Sequence, residues 1–122
     1  MRLDTDLVRD ILTKIEGLPF DGGFHDIVVE GHSPGEITYH VVLLHEAGFV
    51  EAMDLSTLDC GVCWKPKRLT YAGHQFLDAA RNDTVWAKAK AAVMKTTGTL
   101  TIEGLKVALP IVVKSLIEGR IV

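Results

Sequence analysis

"SPGEITYHVVLLHEAGFVEAMDLS", Ser33 to Ser56, is the stretch on which the fold turns. Ser33, Pro34 and Glu36 fall at the N-cap, first and third positions of a helix. That is a capping box, with proline at the one helical position that tolerates it. Ile37, Val41, Leu44 and Ala47 then recur on one face. Gly48 can adopt the left-handed conformation that ends a helix. The spacing predicts a helix over about Pro34–Ala47. "FVEAMDLS" (Phe49–Ser56) follows at once and alternates as a half-buried strand does. A polar tip around Thr57–Gly61 leads to "VCWKPKRL" (Val62–Leu69), a return strand that Pro66 confines to an edge or a bulge.

Working outward, Asp4 or Thr5 caps an opening helix in which Leu7, Val8, Ile11, Leu12 and Ile15 repeat at helical spacing, and Gly17 and Pro19 end it. "LPFDGGF" reads as a turn-rich loop, and "HDIVVEG" (His25–Gly31) as a short β-branched strand. After the return strand, Thr70 caps "YAGHQFLDAAR", whose expected apolar face is Tyr71, Phe76, Leu77 and Ala80. Asp83 opens another helix, which Gly98 ends. A last helix is expected from about Leu100 to Glu118, kinked by Pro110 and closed by Gly119. This order predicts an α+β, mostly helical fold. A helix leading directly into a two-stranded ribbon is the arrangement of a winged helix, in which the helix enters a DNA groove and the ribbon is the wing. A winged-helix-like domain is expected over residues 1–98. Residues 99–122 form an apolar helix that packs on, or dimerises, the same domain.

The bulk properties bound the function. A chain of 122 residues is one domain's worth. An apolar share of 48% with 24% charged residues fits a soluble globular protein. Met1–Asp10 is mixed and charged, so no export is inferred. No apolar run approaches the roughly 20 residues of a membrane helix. Two cysteines without a secretory signal point to reduced thiols in a cytoplasm. The net charge of −3 hides a split. Residues 1–59 carry three basic against twelve acidic side chains, and residues 60–122 carry ten against four. Such asymmetry suits nucleic acid or a partner at the basic half, or attraction between the halves.

The stretch "ITYHVVLLHEAGFVEA" resembles the recognition helix and first wing strand of metal-sensing-repressor-type winged-helix regulators, through Thr38, His40, Val41, Leu44, Glu46, Ala47, Gly48, Phe49 and Val50. A longer resemblance takes in "MRLDTDLVRDILTKIE", the same middle stretch, and "RLTYAGHQFLDAARNDTVWAKAK". Together these resemble a small bacterial family of unknown function, number 2513, often met in phage and prophage regions. That resemblance implies a winged-helix-like domain and no particular activity, ligand or catalytic residue. The helix-turn-helix is abbreviated, because only residues 17–33 separate the opening helix from the capped one.

Two function classes compete. As a phage-related DNA-binding transcription regulator, the protein would place Thr38, Tyr39 and His45 in a groove of double-stranded DNA, with Lys65, Lys67 and Arg68 on phosphate beside Trp64. Yet residues 33–50 contain no Lys, Arg, Asn or Gln, so the helix could instead dock on protein through Tyr39, Val42 and Leu43. Lysines on an edge strand also serve to block foreign pairing. His40 falls where a histidine of this helix type bonds to backbone, and His74 reads as surface or packing. Cys60 and Cys63 form a single C-x-x-C pair. Zinc would need a second pair or a following H-x-x-x-H, so a turn of the wing, with Val62 or Cys63 facing inward, is the preferred reading over a metal or redox site. No catalytic motif appears, so neither an enzyme nor a cofactor is expected. In the C-terminal helix, Leu105, Leu109, Val112, Val113 and Leu116 form a broad apolar stripe that either makes a homodimer or packs within the chain.

Overall fold

The capping box forms as the sequence requires. In this computed structural model, which describes residues 1–59 and 61–121, the Ser33 hydroxyl accepts from the Glu36 amide, and the Glu36 carboxylate accepts from the Ser33 amide. The helix so opened runs Pro34–Glu46 and ends where Gly48 takes φ 81°. Ile37, Val41 and Leu44 are buried on it, together with His40. We label it α2. It is preceded by α1 (Thr5–Glu16), which Asp4 caps by accepting from the Asp6 and Leu7 amides. The five apolar residues expected on the inner face of α1 are all buried.

Two compact units divide the chain, residues 1–74 and 75–122. In the first, α1 packs on α2, and both pack on an antiparallel ribbon of β1 (Val50–Asp54) and β2 (Trp64–Leu69). The register is Val50↔Leu69 and Glu51↔Arg68, then Ala52↔Pro66, so Lys67 is left opposite no residue. This is the bulge that Pro66 forces, since it cannot donate to the ladder. Phe49, Val50 and Leu69 are buried at the end of the ribbon away from its turn, where β1 leaves α2 and β2 leads into α3. The start of α3 (Tyr71–Ala80) belongs to the same unit. The Thr70 hydroxyl accepts from the Gly73 amide and donates to the Gly48 carbonyl. A Cβ on Gly73 would lie 2.0 Å from the Phe49 carbonyl oxygen, so only glycine lets α3 begin this close to the ribbon.

In the second unit α4 (Asp83–Thr97) opens at Asp83 as expected, with Asn82 as its cap, and stops at Gly98 with φ 76°. It packs on α5 (Ile102–Ile121), whose first turn is capped by the Thr101 hydroxyl. Pro110 lies within α5.

Among the described residues, the elements are those of an α+β, mostly helical, winged-helix-like arrangement. Four local expectations are corrected. His25–Gly31 forms no ladder strand. It runs beside β2 and ends in a turn at residues 30–31, and because Pro66 offers a carbonyl and no N–H, one backbone bond joins the two among the described residues, from the His25 amide to the Pro66 oxygen. Tyr71 is exposed, because it stands in the first turn of α3, outside the Phe76–Leu77–Ala80 face. Val62 points to solvent. Gly119 does not close α5, which continues through it. Glycine permits a left-handed stop without compelling one.

Candidate interaction surface on the capped helix and wing

The residues expected to contact DNA are brought onto one unit, but their side chains turn to neighbours within it. Thr38 is half-buried and lines a small pocket of about 90 Å³ with His25, Ile37, Val41, Trp64 and Pro66. Tyr39 is 37% exposed and meets the His40 ring edge-on at 5.6 Å. The His45 ring lies against Trp64 at 5.3 Å, joining the end of α2 to the start of β2.

The basic side chains of β2 behave alike. Lys65 pairs with Asp26 at 3.3 Å. The Lys67 ammonium lies 5.8 Å from the centre of the Phe24 ring. The Arg68 guanidinium donates to the Glu51 carboxylate at 2.8 Å and to the Leu69 carbonyl at 3.0 Å. Exposed pairs of this kind contribute only about 0–1 kcal/mol each, so they do not lock the cations away. For Lys65 and Arg68, the effect on an incoming polyanion is the carboxylate that each pair brings. Phe24, Asp26 and Glu51 were not singled out by sequence reasoning. The acid of Asp26 reaches β2 across 39 positions, a pairing that no local pattern carries.

His40 is buried, with Nδ1 2.7 Å from the Glu36 carbonyl and Nε2 2.9 Å from the Asp4 amide. These partners fix the neutral tautomer in which Nδ1 donates and Nε2 accepts. The backbone-bonded histidine expected from the sequence is therefore present, more deeply buried than reading groups require. In the 17–33 connection two further histidines meet acids: His25 lies 3.0 Å from Asp21 and His32 lies 3.1 Å from Glu36. The Gly23 amide, then His25, hold the Asp21 carboxyl below its ordinary range. His32, then the Ser33 amide, do the same for Glu36. Ser56 lowers Asp54.

At the wing tip, Gly61 takes φ 71° and pairs with Thr57. The Cys63 amide donates to the Ser56 hydroxyl at 2.8 Å, and the Cys63 side chain is partly exposed. Cys60 lies outside the described residues, so the pair has no geometry to assess. No cluster of three metal-ligating side chains occurs among the described residues. The tip and its approaches expose Met53, Leu55, Leu58 and Val62, so the wing ends in apolar rather than basic side chains.

The second unit buries Leu105 and Leu109 within the chain, while Val112, Val113 and Leu116 stay partly exposed. No described helix is long and apolar enough to cross a membrane.

A capped helix leading into a two-stranded antiparallel ribbon, within a mostly helical chain, makes this an α+β protein whose arrangement is consistent with a winged-helix-like one. The chain belongs to the family described as Hypothetical protein (DUF2513), which matches residues 2–99. It is similar to an uncharacterized protein of Haemophilus influenzae, 34% identical over 112 residues, which cover 87% of this chain and 90% of that one. No solved structure matches it.

Proposed function

We propose that the protein is a non-enzymatic interaction module, docking on a protein partner through α2 and the apolar-tipped wing. One observation carries this reading. The unit that holds α2 and the wing, residues 1–74, has six basic and twelve acidic side chains, a net charge of −6. Phosphate attraction supplies essentially all non-specific DNA affinity and much of the specific share. A surface on which Lys65 sits beside Asp26 and Arg68 beside Glu51, on a unit of that charge, gains little from it. The reading helix adds no Lys, Arg, Asn or Gln over residues 33–50. The exposed Met53, Leu55, Leu58 and Val62 suit a protein surface, where apolar contact is the main driving term.

DNA binding by a phage-related transcription regulator is the second reading. The helix-then-ribbon order favours it, with Thr38, Tyr39, His45, Lys65, Lys67 and Arg68 as contacts. Fluorescence anisotropy with labelled random duplex at low salt separates the two. No binding at micromolar protein is expected. Binding that weakens steeply as salt rises would reverse the order of the readings. A photo-crosslinking residue at Leu58 is expected to give a discrete protein adduct in cells, and recovery of only unlinked chain would count against docking at the wing.

A further inference from the structure

We infer that α5 carries an antiparallel self-association face, so that a second copy of this chain covers the apolar groove between α4 and α5. This stands apart from the reading of the wing. The groove has a volume of about 590 Å³ and is lined by Ala92 and Val93 of α4 and by Gly104, Val107, Ala108 and Ile111 of α5, among others. Val107 and Ile111 are each 63% exposed, which is a large share for two neighbouring apolar side chains on one helix row. Leu105 and Leu109, expected from the sequence either to join two copies or to pack within the chain, are 0% and 1% exposed and already used within it. The free face is therefore one row over.

Two rows lie side by side there. Val107 and Ile111 form a ridge at i, i+4. Gly104, Ala108 and Val112 form a lower row at the same spacing, whose first member, lacking a Cβ, lets Val93 of α4 pack against it within the chain. A ridge and a lower row on one helix are what a two-fold interface needs, since the same patch must complement itself.

Charge fixes the occupant and its direction. Stepping by four, four and three along the ridge row gives Glu103, Val107, Ile111 and Lys114, which share one flank of the helix. The row has an acid at one end and a base at the other, about 16 Å apart at helical rise. Laid antiparallel on its own copy, Val107 meets the partner's Ile111 and Glu103 meets the partner's Lys114, twice by symmetry. Laid parallel, like charges would face each other. Lys114 is 77% exposed, and its in-chain ion partner, Glu118, stands at 3.9 Å, so it is available.

Charge reversal in the full chain tests this by sedimentation equilibrium at tens of micromolar protein. Wild type is expected at twice the 13.4 kDa chain mass. Glu103→Lys and Lys114→Glu should each weaken association by about tenfold. An equimolar mixture of the two variants should restore it, because each copy then supplies the other's missing charge. Ile111→Asp, at an exposed position, should give monomer with unchanged helix content by circular dichroism. A monomeric wild type, a mixture no tighter than its components, or a dimeric Ile111→Asp would each overturn the proposal.

Discussion

His40 and Gly73 act at the scale of single residues. His40 ties the cap of α1 to the first turn of α2 by accepting from the Asp4 amide. His40→Leu keeps the volume but leaves that amide without its acceptor, and should cost about 1–3 kcal/mol in chemical denaturation. Gly73→Ala should cost a similar 1–3 kcal/mol, since the Phe49 carbonyl would have to move and it also accepts from Thr70. Glu36 gives a pH signature. Its carboxyl is held below the ordinary 4.5 by His32 and then by the Ser33 amide, so the folded state favours the ionised form. The resulting stability is complete above the unfolded value and disappears as pH falls through the lowered folded one. Glu36→Gln should therefore shrink the stability difference between neutral and acid pH, measured by denaturant melts at each. The capping box was legible because it is local: serine, proline and glutamate lie within one turn. The role of Gly73 was not, because a glycine inside a helix reads only as a weak helix former until the strand beside it is known.

Elements were read well where their signals are short-range. The two helices of the first unit and both strands were legible from caps, apolar spacing and Pro66. Segment 25–31 was misread because a β-branched run favours an extended chain, while a strand also needs a partner edge with donors. Pro66 removes one of them. That segment and the residue before it still shape the wing, since Asp26 reaches Lys65 and Phe24 reaches Lys67. Replacing Asp26 by Asn together with Glu51 by Gln should change stability by less than about 1 kcal/mol, because both pairs are exposed. The same double variant should bind random duplex more tightly than wild type in low salt. Equal affinity would mean that these acids do not screen the wing's cations.

At the scale of the whole molecule, charge separates by unit. Residues 1–74 carry −6, and residues 75–122, with seven basic and four acidic side chains, carry +3. The sequence showed this asymmetry, although it could not show that the wing's three cations belong to the acidic unit rather than the basic half. That assignment comes from the chain fold, which joins β2 to α1 and α2 and sets Asp26 and Glu51 beside it. The candidate surface was thus half legible: its residues were named, and their partners were not. Family membership and the Haemophilus influenzae relative add no chemistry to this picture. The most direct measurement is a nitrogen-15 amide spectrum of the full chain titrated with random duplex DNA in low salt. The amides of Thr38, Tyr39, His45, Lys65, Lys67 and Arg68 should stay where they are. Saturable movement of those resonances together, reversed by salt, would show that α2 and the wing do hold DNA.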